Sequence, residues 1–272
     1  MFLSEAAIRI RRFEQFAAPR TKPMIAYEKT IIVIPARMSS VRLPGKPLAD
    51  IHGFPMIVHV WKRAMEANIG KVLVAAAENE IAEVIRNQGG DAIVTEPSLP
   101  SGSDRIAAAL KLRDIHENFE YVVNLQGDLP TIDPLSLQRC LAGLTNDTVD
   151  IATIAARIET DQDVKNPNIV KAIAPLNGDR EAAYARDFVR IVGPEHEAPY
   201  WHHIGVYAYR RKSLERFVSL PVSTREALRK LEQMRALDNE MRIAVVKVDT
   251  VPLGVDAPAD LEAARLILRK RI

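Results

Sequence analysis

The sequence predicts an α/β protein built on a doubly wound, mostly parallel sheet, and three observations carry that prediction. Short continuous apolar runs, the pattern of strands buried on both faces, recur through the first half. Segments with apolar residues at helical spacing separate them, and the connections between the two kinds are short. The first run, Ile31-Ile32-Val33-Ile34, ends in Pro35-Ala36 and reads as a strand. Met56, Val60, Trp61 and Ala64 fall on one side of a helix over 55–67. Val72-Leu73-Val74-Ala75 is a second buried strand, followed by a short helix over 80–86 that Gly89-Gly90 closes. Ala92-Ile93-Val94 is a third strand, and a helix over 104–115 carries Ile106, Leu110 and Ile115 along one side. Residues 121–125 form the next strand and 134–144 the next helix. Beyond 150 the pattern changes: strands are expected over 151–158, 169–174, 182–186 and 205–209, with few helices between them. Such a run can add antiparallel strands or a small inserted lobe. A helix over 226–237, a strand over 242–248 and a helix over 258–268 complete the chain.

Composition removes several function classes. The 37 Lys and Arg nearly cancel the 35 Asp and Glu, so no long-range field is available to hold a nucleic acid, and none is expected as a partner. No apolar run approaches the roughly 20 residues that span a bilayer, so no membrane association is expected. A single cysteine, Cys140, permits neither an internal disulfide nor a multi-thiolate zinc site, which suits a reducing, cytoplasmic setting. Residues 1–29 stand apart. Arg9, Arg11, Arg12 and Arg20 are interspersed with Ile8, Ile10, Phe13 and Phe16, compatible with a short amphipathic helix. There is no h-region or small-residue cleavage site, and Glu5 and Glu14 interrupt any transit-like run. A mobile N-terminal extension is expected there, with 30–272 a single domain.

In open parallel sheets ligands bind at the carboxyl ends of the strands. The first strand runs into Arg37-Met38-Ser39-Ser40-Val41-Arg42-Leu43-Pro44-Gly45-Lys46-Pro47-Leu48, a loop stiffened by proline, turned at Gly45 and carrying three cations. Such a loop can aim Arg37, Arg42 and Lys46 at a triphosphate. It is neither a Walker A loop nor a G-x-G-x-x-G turn. Asp128 follows the fourth strand and precedes Leu129-Pro130. It reads either as a turn-forming aspartate or as a hard oxygen ligand for Mg²⁺ facing that triphosphate. Asp256, two residues before Pro258, reads as the N-cap of the last helix. Cys140 lies in a helical segment without a base nearby in sequence and reads as core.

Ile34-Pro35-Ala36-Arg37, Ser40 and Arg42-Leu43-Pro44-Gly45-Lys46-Pro47-Leu48 closely resemble the signature of the 3-deoxy-manno-octulosonate (Kdo) cytidylyltransferases. The resemblance continues, in order, through Ser101-Gly102-Ser103-Asp104-Arg105, Asn124-Leu125-Gln126-Gly127-Asp128 and Asn166-Pro167-Asn168. It then takes in His203-Ile204-Gly205-Val206-Tyr207, Leu231-Glu232-Gln233 and Gly254-Val255-Asp256, so it covers nearly everything after Thr30. It implies a sheet of the nucleotide-diphospho-sugar transferase type with an inserted sugar-binding lobe. Residues 30–150 would be mainly nucleotide-binding, 151–250 mainly sugar-acid lobe, and 251–272 a closing segment with the second metal ligand. It implies transfer of the cytidylyl group of CTP to the anomeric hydroxyl of Kdo, giving CMP-Kdo and pyrophosphate for lipopolysaccharide synthesis, with Mg²⁺ as cofactor and a homodimer as assembly. Arg37, Lys46 and Asp128 would be catalytic. Pro35, Ala36, Arg37, Arg42, Lys46, Ala75, Ser101, Gly102 and Gln126 would bind nucleotide, and Asp128 with Asp256 would hold the metal. Arg186 would meet the sugar's carboxylate, while His203, Tyr207, Glu232 and Gln233 would line its pocket. Taken alone, His203 and Tyr207 are equally strand residues with satisfied polar tips, and Glu232 and Gln233 equally a solvated helix face.

The chain departs from the family pattern at Ala75-Ala76-Ala77, where Ala-Thr-Asp is usual, and at Pro100, Ala185 and Pro252-Leu253. The first bears on the nucleotide contacts and Ala185 on the identity of the sugar. A cytidylyltransferase for a Kdo variant or a sialic-type acid, and a non-catalytic nucleotide or sugar-acid sensor, are the alternative readings.

Overall fold

The computed structural model describes residues 25–269. The expected amphipathic helix and mobile character of 1–29 fall almost wholly outside that range. In chain order, β1 (Thr30–Ala36) leads through a hairpin of β2 (Asp50–Ile51) and β3 (Phe54–Pro55) into α1 (Met56–Ala67). Then come β4 (Lys71–Ala76), α2 (Asn79–Asn87), β5 (Asp91–Val94), α3 (Gly102–Arg113), β6 (Tyr121–Asn124) and α4 (Pro134–Ala142). The second half holds β7 (Ile151–Arg157), α5 (Asp161–Lys165), β8 (Lys171–Ile173), β9 (Ala182–Tyr184), β10 (Asp187–Val189) and β11 (Trp201–Arg210). It closes with α6 (Arg211–Ser219), α7 (Thr224–Arg229), α8 (Gln233–Asp238), β12 (Ile243–Val248) and α9 (Pro258–Leu268).

Ten strands share one sheet, along which β5, β4, β1, β6, β11, β7, β12 and β9 succeed one another. β1 is parallel to β4 and β6, and β4 to β5. β11 runs antiparallel between β6 and β7, β12 is parallel to β7, and β9 closes the edge antiparallel to β12. β8 branches from β11 and carries β10. Every residue of β1 is buried because helices cover both faces of the sheet. On one face Ile32, Ile34 and Val74 pack with Ile57, Val60, Ile81 and Leu137 of α1, α2 and α4. On the other Ile31, Val33 and Leu73 pack with Ile106, Leu110, Phe217 and Met234 of α3, α6 and α8. Each such side chain contributes about 1.5–3 kcal/mol of burial, which is why the apolar runs lack polar alternation. β4 and β5 lie to one side of β1 and β6 to the other. The connections therefore leave β1 in opposite directions and open a crevice at its carboxyl end.

Two expectations are corrected. The helix over 226–237 is two helices, because Lys230 adopts the left-handed conformation (φ 54°) and stops α7. Ser223 and Glu226 form a capping box that fixes the start of α7. Arg235 then donates to both carboxylate oxygens of Glu226, at 2.8 and 2.6 Å, folding α8 back on α7. The strand over 205–209 is longer, Trp201–Arg210, with an irregularity between Ile204 and Tyr207 that breaks its alternation. α6, highly charged but anchored by Leu214 and Phe217, was not foreseen.

Candidate active site

A cavity of about 450 Å³ opens at the carboxyl ends of β1 and β6. The backbone pairing of β1 brings Pro35 and Ala36 to its floor, and the chain then turns through the cationic loop. Gly45 takes φ 69°, which a glycine adopts at little cost, and its N–H donates to the Met38 carbonyl at 3.2 Å, closing the loop. Met38 N–H in turn donates to the Glu78 carboxylate at 2.9 Å. Ser101 caps α3 by accepting from Asp104 N–H at 3.1 Å, setting Ser101 and Gly102 on the cavity wall. Gly127 packs against β1: a Cβ there would lie 2.8 Å from the Pro35 carbonyl oxygen and 3.3 Å from Ile57 Cδ1. Gly127→Ala is therefore expected to push the 126–128 turn off β1. A loss of about 1–3 kcal/mol in thermal or urea unfolding, with weakened CTP binding, is the expected measurement.

Two acidic segments far apart in sequence are zipped together here. Val255 N–H donates to the Asp128 carbonyl at 2.9 Å, and Leu253 N–H to Thr131 Oγ1 at 2.8 Å. Asp260, not Asp256, completes the N-terminus of α9, accepting from Asp256 and Ala257 N–H at 3.0 and 2.8 Å. This leaves the Asp256 carboxylate for the cavity and removes the capping alternative. Lys46 Nζ lies 2.7 Å from Asp128 Oδ2 and 3.1 Å from Asp256 Oδ1, and Arg42 lies 3.0 Å from Asp256 Oδ2. Burial pulls the Lys46 ammonium down, but the two carboxylates outweigh it and its pKa is raised. Both aspartates thus converge on one cation position, in reach of the basic loop.

A second cluster adjoins the first, on β11 where it runs beside the end of β6. Tyr207 is in register with Asn124, and a Cβ on Gly205 would sit 3.9 Å from Gln126 Cγ. His203 is ringed by Phe188 and Tyr207, with centroids at 4.9 and 5.6 Å. Ser103 Oγ donates to Glu232 Oε2 at 3.0 Å, while Glu232 Oε1 and Gln233 Nε2 are buried without a hydrogen-bond partner. Burial raises the Glu232 carboxyl pKa against the hydrogen bond from Ser103. Unpaired buried polar atoms of opposite character, one acceptor and one donor, suit a polyhydroxylated ligand. Glu232 and Gln233 are therefore not a solvated helix face.

Burial lowers His203 to about 3, so its ring is neutral around pH 7. From pH 6.5 down to about 3 the unfolded chain binds a proton there that the folded chain refuses. This group therefore costs stability progressively as pH falls through that window and nothing above it. His203→Gln is expected to flatten the decline of Tm between pH 6.5 and 4, read by calorimetry across buffers.

Of the site residues expected from sequence, Pro35, Ala36, Arg37, Arg42, Lys46, Ser101, Gly102, Gln126, Asp128 and Asp256 line this cavity. His203, Tyr207, Glu232 and Gln233 form the adjoining cluster. Ala75 does not reach the cavity: it pairs with Pro35 inside the sheet and is wholly buried in the core. Arg186 is exposed just beyond β9 and does not line the cavity. Sequence reasoning assigned no role to Arg105, which lines the cavity while donating to Thr95 Oγ1 and the carbonyls of Glu96 and Pro97 at 2.7–3.2 Å. Its place in Ser101-Gly102-Ser103-Asp104-Arg105 was the available signal.

A twisted α/β sheet that delivers a basic loop and two carboxylates to one crevice defines the nucleotidyltransferase class. UDP-glucose pyrophosphorylase in complex with UDP-glucose shares the fold at TM-score 0.64 and 13% identity, covering 89% of this chain and 99% of that one. A cytidylyltransferase family model matches residues 31–243. A 3-deoxy-manno-octulosonate cytidylyltransferase of Paramagnetospirillum magneticum is 52% identical over 239 residues, 88% of this chain and 97% of the relative. One from Bradyrhizobium sp. (strain ORS 278) is 54% identical over 243 residues, 89% and 98% of the two chains. The solved CMP:2-keto-3-deoxy-manno-octonic acid synthetase complexed with CTP superposes at TM-score 0.81 with 35% identity, covering 90% of this chain and all of that one. The chain belongs to the 3-deoxy-manno-octulosonate cytidylyltransferase family.

Proposed function

We propose that this protein transfers the cytidylyl group of CTP to the anomeric hydroxyl of Kdo, releasing pyrophosphate and CMP-Kdo, with Mg²⁺ as cofactor. The observation that carries this reading is the meeting of Asp128, Asp256 and Lys46 under the basic loop, in a chain of this family. The two aspartates fit Mg²⁺: they offer hard oxygens, already converge on one cation, and leave the other positions to water and phosphate. Among the described residues no group of three or more His, Cys, Asp or Glu side chains could hold a metal ion, so water and substrate oxygens would complete its shell here. Bound there, Mg²⁺ supplies charge neutralisation at the α-phosphate and polarises the attacking hydroxyl.

The chain's own groups do the positioning that such a transfer chiefly requires. Arg37, Arg42 and Lys46 oppose the negative charge that accumulates on departing pyrophosphate. Ser101, Gly102 and Gln126 border the nucleotide's side of the cavity. Glu232, Gln233, His203 and Tyr207 present donors and acceptors to the sugar. Attack is in line, without a covalent enzyme intermediate: burial pushes the Cys140 thiol up, away from the nucleophilic thiolate. A homodimer and a cytoplasmic setting belong to the same proposal. Among the described residues no helix is long and apolar enough to cross a membrane. The test is pyrophosphate release with CTP and Kdo, with and without Mg²⁺. Release with another acidic sugar but not with Kdo keeps the mechanism and replaces the substrate, whereas CTP binding without turnover makes the chain a sensor.

A further inference from the structure

Thr153 lies on β7 inside the sheet, wholly buried, and nothing in the reaction as derived uses it. Its hydroxyl meets three groups: the Val206 carbonyl at 2.8 Å, the Ile204 carbonyl at 3.3 Å and His203 Nε2 at 2.9 Å. Two of the three can only accept. They sit at the β11 irregularity, where pairing with β7 skips from Ile204 to Tyr207. A threonine hydroxyl has one proton to give. Donated to His203, that proton would leave the Ile204 carbonyl without a side-chain donor and the Val206 carbonyl with only the weak Cys140 thiol, 3.8 Å away. Donated to Val206, the shorter contact, it turns an oxygen lone pair toward the imidazole. Nε2 must then carry the hydrogen and donate to Thr153, and Nδ1 is left as a bare acceptor. No other hydrogen bond to His203's ring is present among the described residues, so Nδ1 is uncommitted.

We propose that Thr153 is a positioning residue that fixes His203 as its Nε2–H tautomer, so that Nδ1 accepts a hydrogen bond from a hydroxyl of the sugar acid. The inference rests on the reading of His203 as a sugar contact. It adds a selectivity: a neutral acceptor with no proton to offer receives a hydroxyl and turns away a carboxylate. The substrate's carboxylate therefore has to be met elsewhere, and its orientation in the pocket is set partly by a side chain that never touches it. The same hydroxyl ties the β11 irregularity to β7, so tautomer and strand geometry are locked by one group.

Long-range proton–nitrogen NMR on histidine-labelled free protein reads the tautomer directly, with the His203 signal assigned by its loss in His203→Gln. The Nε2–H pattern is expected in the wild type and in Thr153→Ser, and its loss or mixing in Thr153→Val. In kinetics, Thr153→Val is expected to raise KM for the sugar acid about tenfold, the scale of one misdirected hydrogen bond, while KM for CTP stays put and Thr153→Ser restores the wild-type value. An Nδ1–H pattern in the wild type overturns the inference whether or not His203 touches the sugar. The expected tautomers with an unchanged sugar KM in Thr153→Val also overturn it. If His203→Gln is equally silent on that KM, the failure belongs to the sugar-pocket reading rather than to Thr153's hold on the ring.

Discussion

Asp128→Asn and Asp256→Asn are each expected to lower kcat/KM by about two to three orders of magnitude while leaving the fold intact. Asparagine keeps the shape of each side chain and one carbonyl oxygen but removes the charge. The main-chain zip survives, because Val255 donates to the backbone carbonyl of Asp128 rather than to its side chain. Stability should change little. The Asp128 and Asp256 side chains are 31% and 49% exposed, and ion pairs of that exposure are worth about 1 kcal/mol or less. Catalysis should change greatly, because the proposed Mg²⁺ has only these two protein carboxylates to hold it. A steady-state assay of pyrophosphate release across a Mg²⁺ titration separates the effects: saturation should move to higher Mg²⁺ in both variants. Near-wild-type turnover in either would remove that aspartate from the site.

The parts of this architecture legible in sequence are those where one physical requirement dominates a short stretch. Ile31 to Ile34 had to be apolar without alternation because helices cover both faces of β1, and that pattern is unmistakable. The basic loop was legible because a buried strand, two prolines and Gly45 constrain its path. The junction of Asp128 with Asp256 came from the family resemblance alone; by residue chemistry each aspartate had an ordinary turn or cap reading. What decides the matter is a loop-to-loop pairing, Val255 to Asp128, that leaves no periodic trace. The break at Lys230 was hidden for a similar reason. Helical spacing runs on through 226–237, and the cause of the break is the Glu226–Arg235 pair closing across the turn. Arg105 and Thr153 were overlooked because their partners are largely main-chain carbonyls, which every sequence possesses.

Lys46→Met is expected to cut turnover by a factor of about a hundred to a thousand, and here stability and activity should come apart most clearly. The Lys46 side chain is only 14% exposed, yet its partners are substantially solvated, so losing both ion pairs should cost the fold little. The raised pKa keeps the ammonium charged through neutrality. Whatever stability it lends is complete below 10.5 and fades as pH climbs through the raised value, so assays near pH 7 see the full charge. Methionine fills much of the same volume and supplies none of that charge. Lys46→Arg keeps the charge, but a planar fork cannot occupy the point between two carboxylates at 2.7 and 3.1 Å, so only partial recovery is expected. A further readout distinguishes a phosphate-directed lysine from a structural one. With Lys46 gone, Asp256 keeps its ion pair with Arg42 while Asp128 loses the Lys46 ammonium, and the pair should draw a divalent cation more strongly before any nucleotide arrives. Mn²⁺ binding without CTP, followed by calorimetry, should therefore tighten in Lys46→Met even as turnover collapses. A parallel fall of Tm and activity, with Mn²⁺ binding unimproved, would mean that Lys46 merely holds the crevice together.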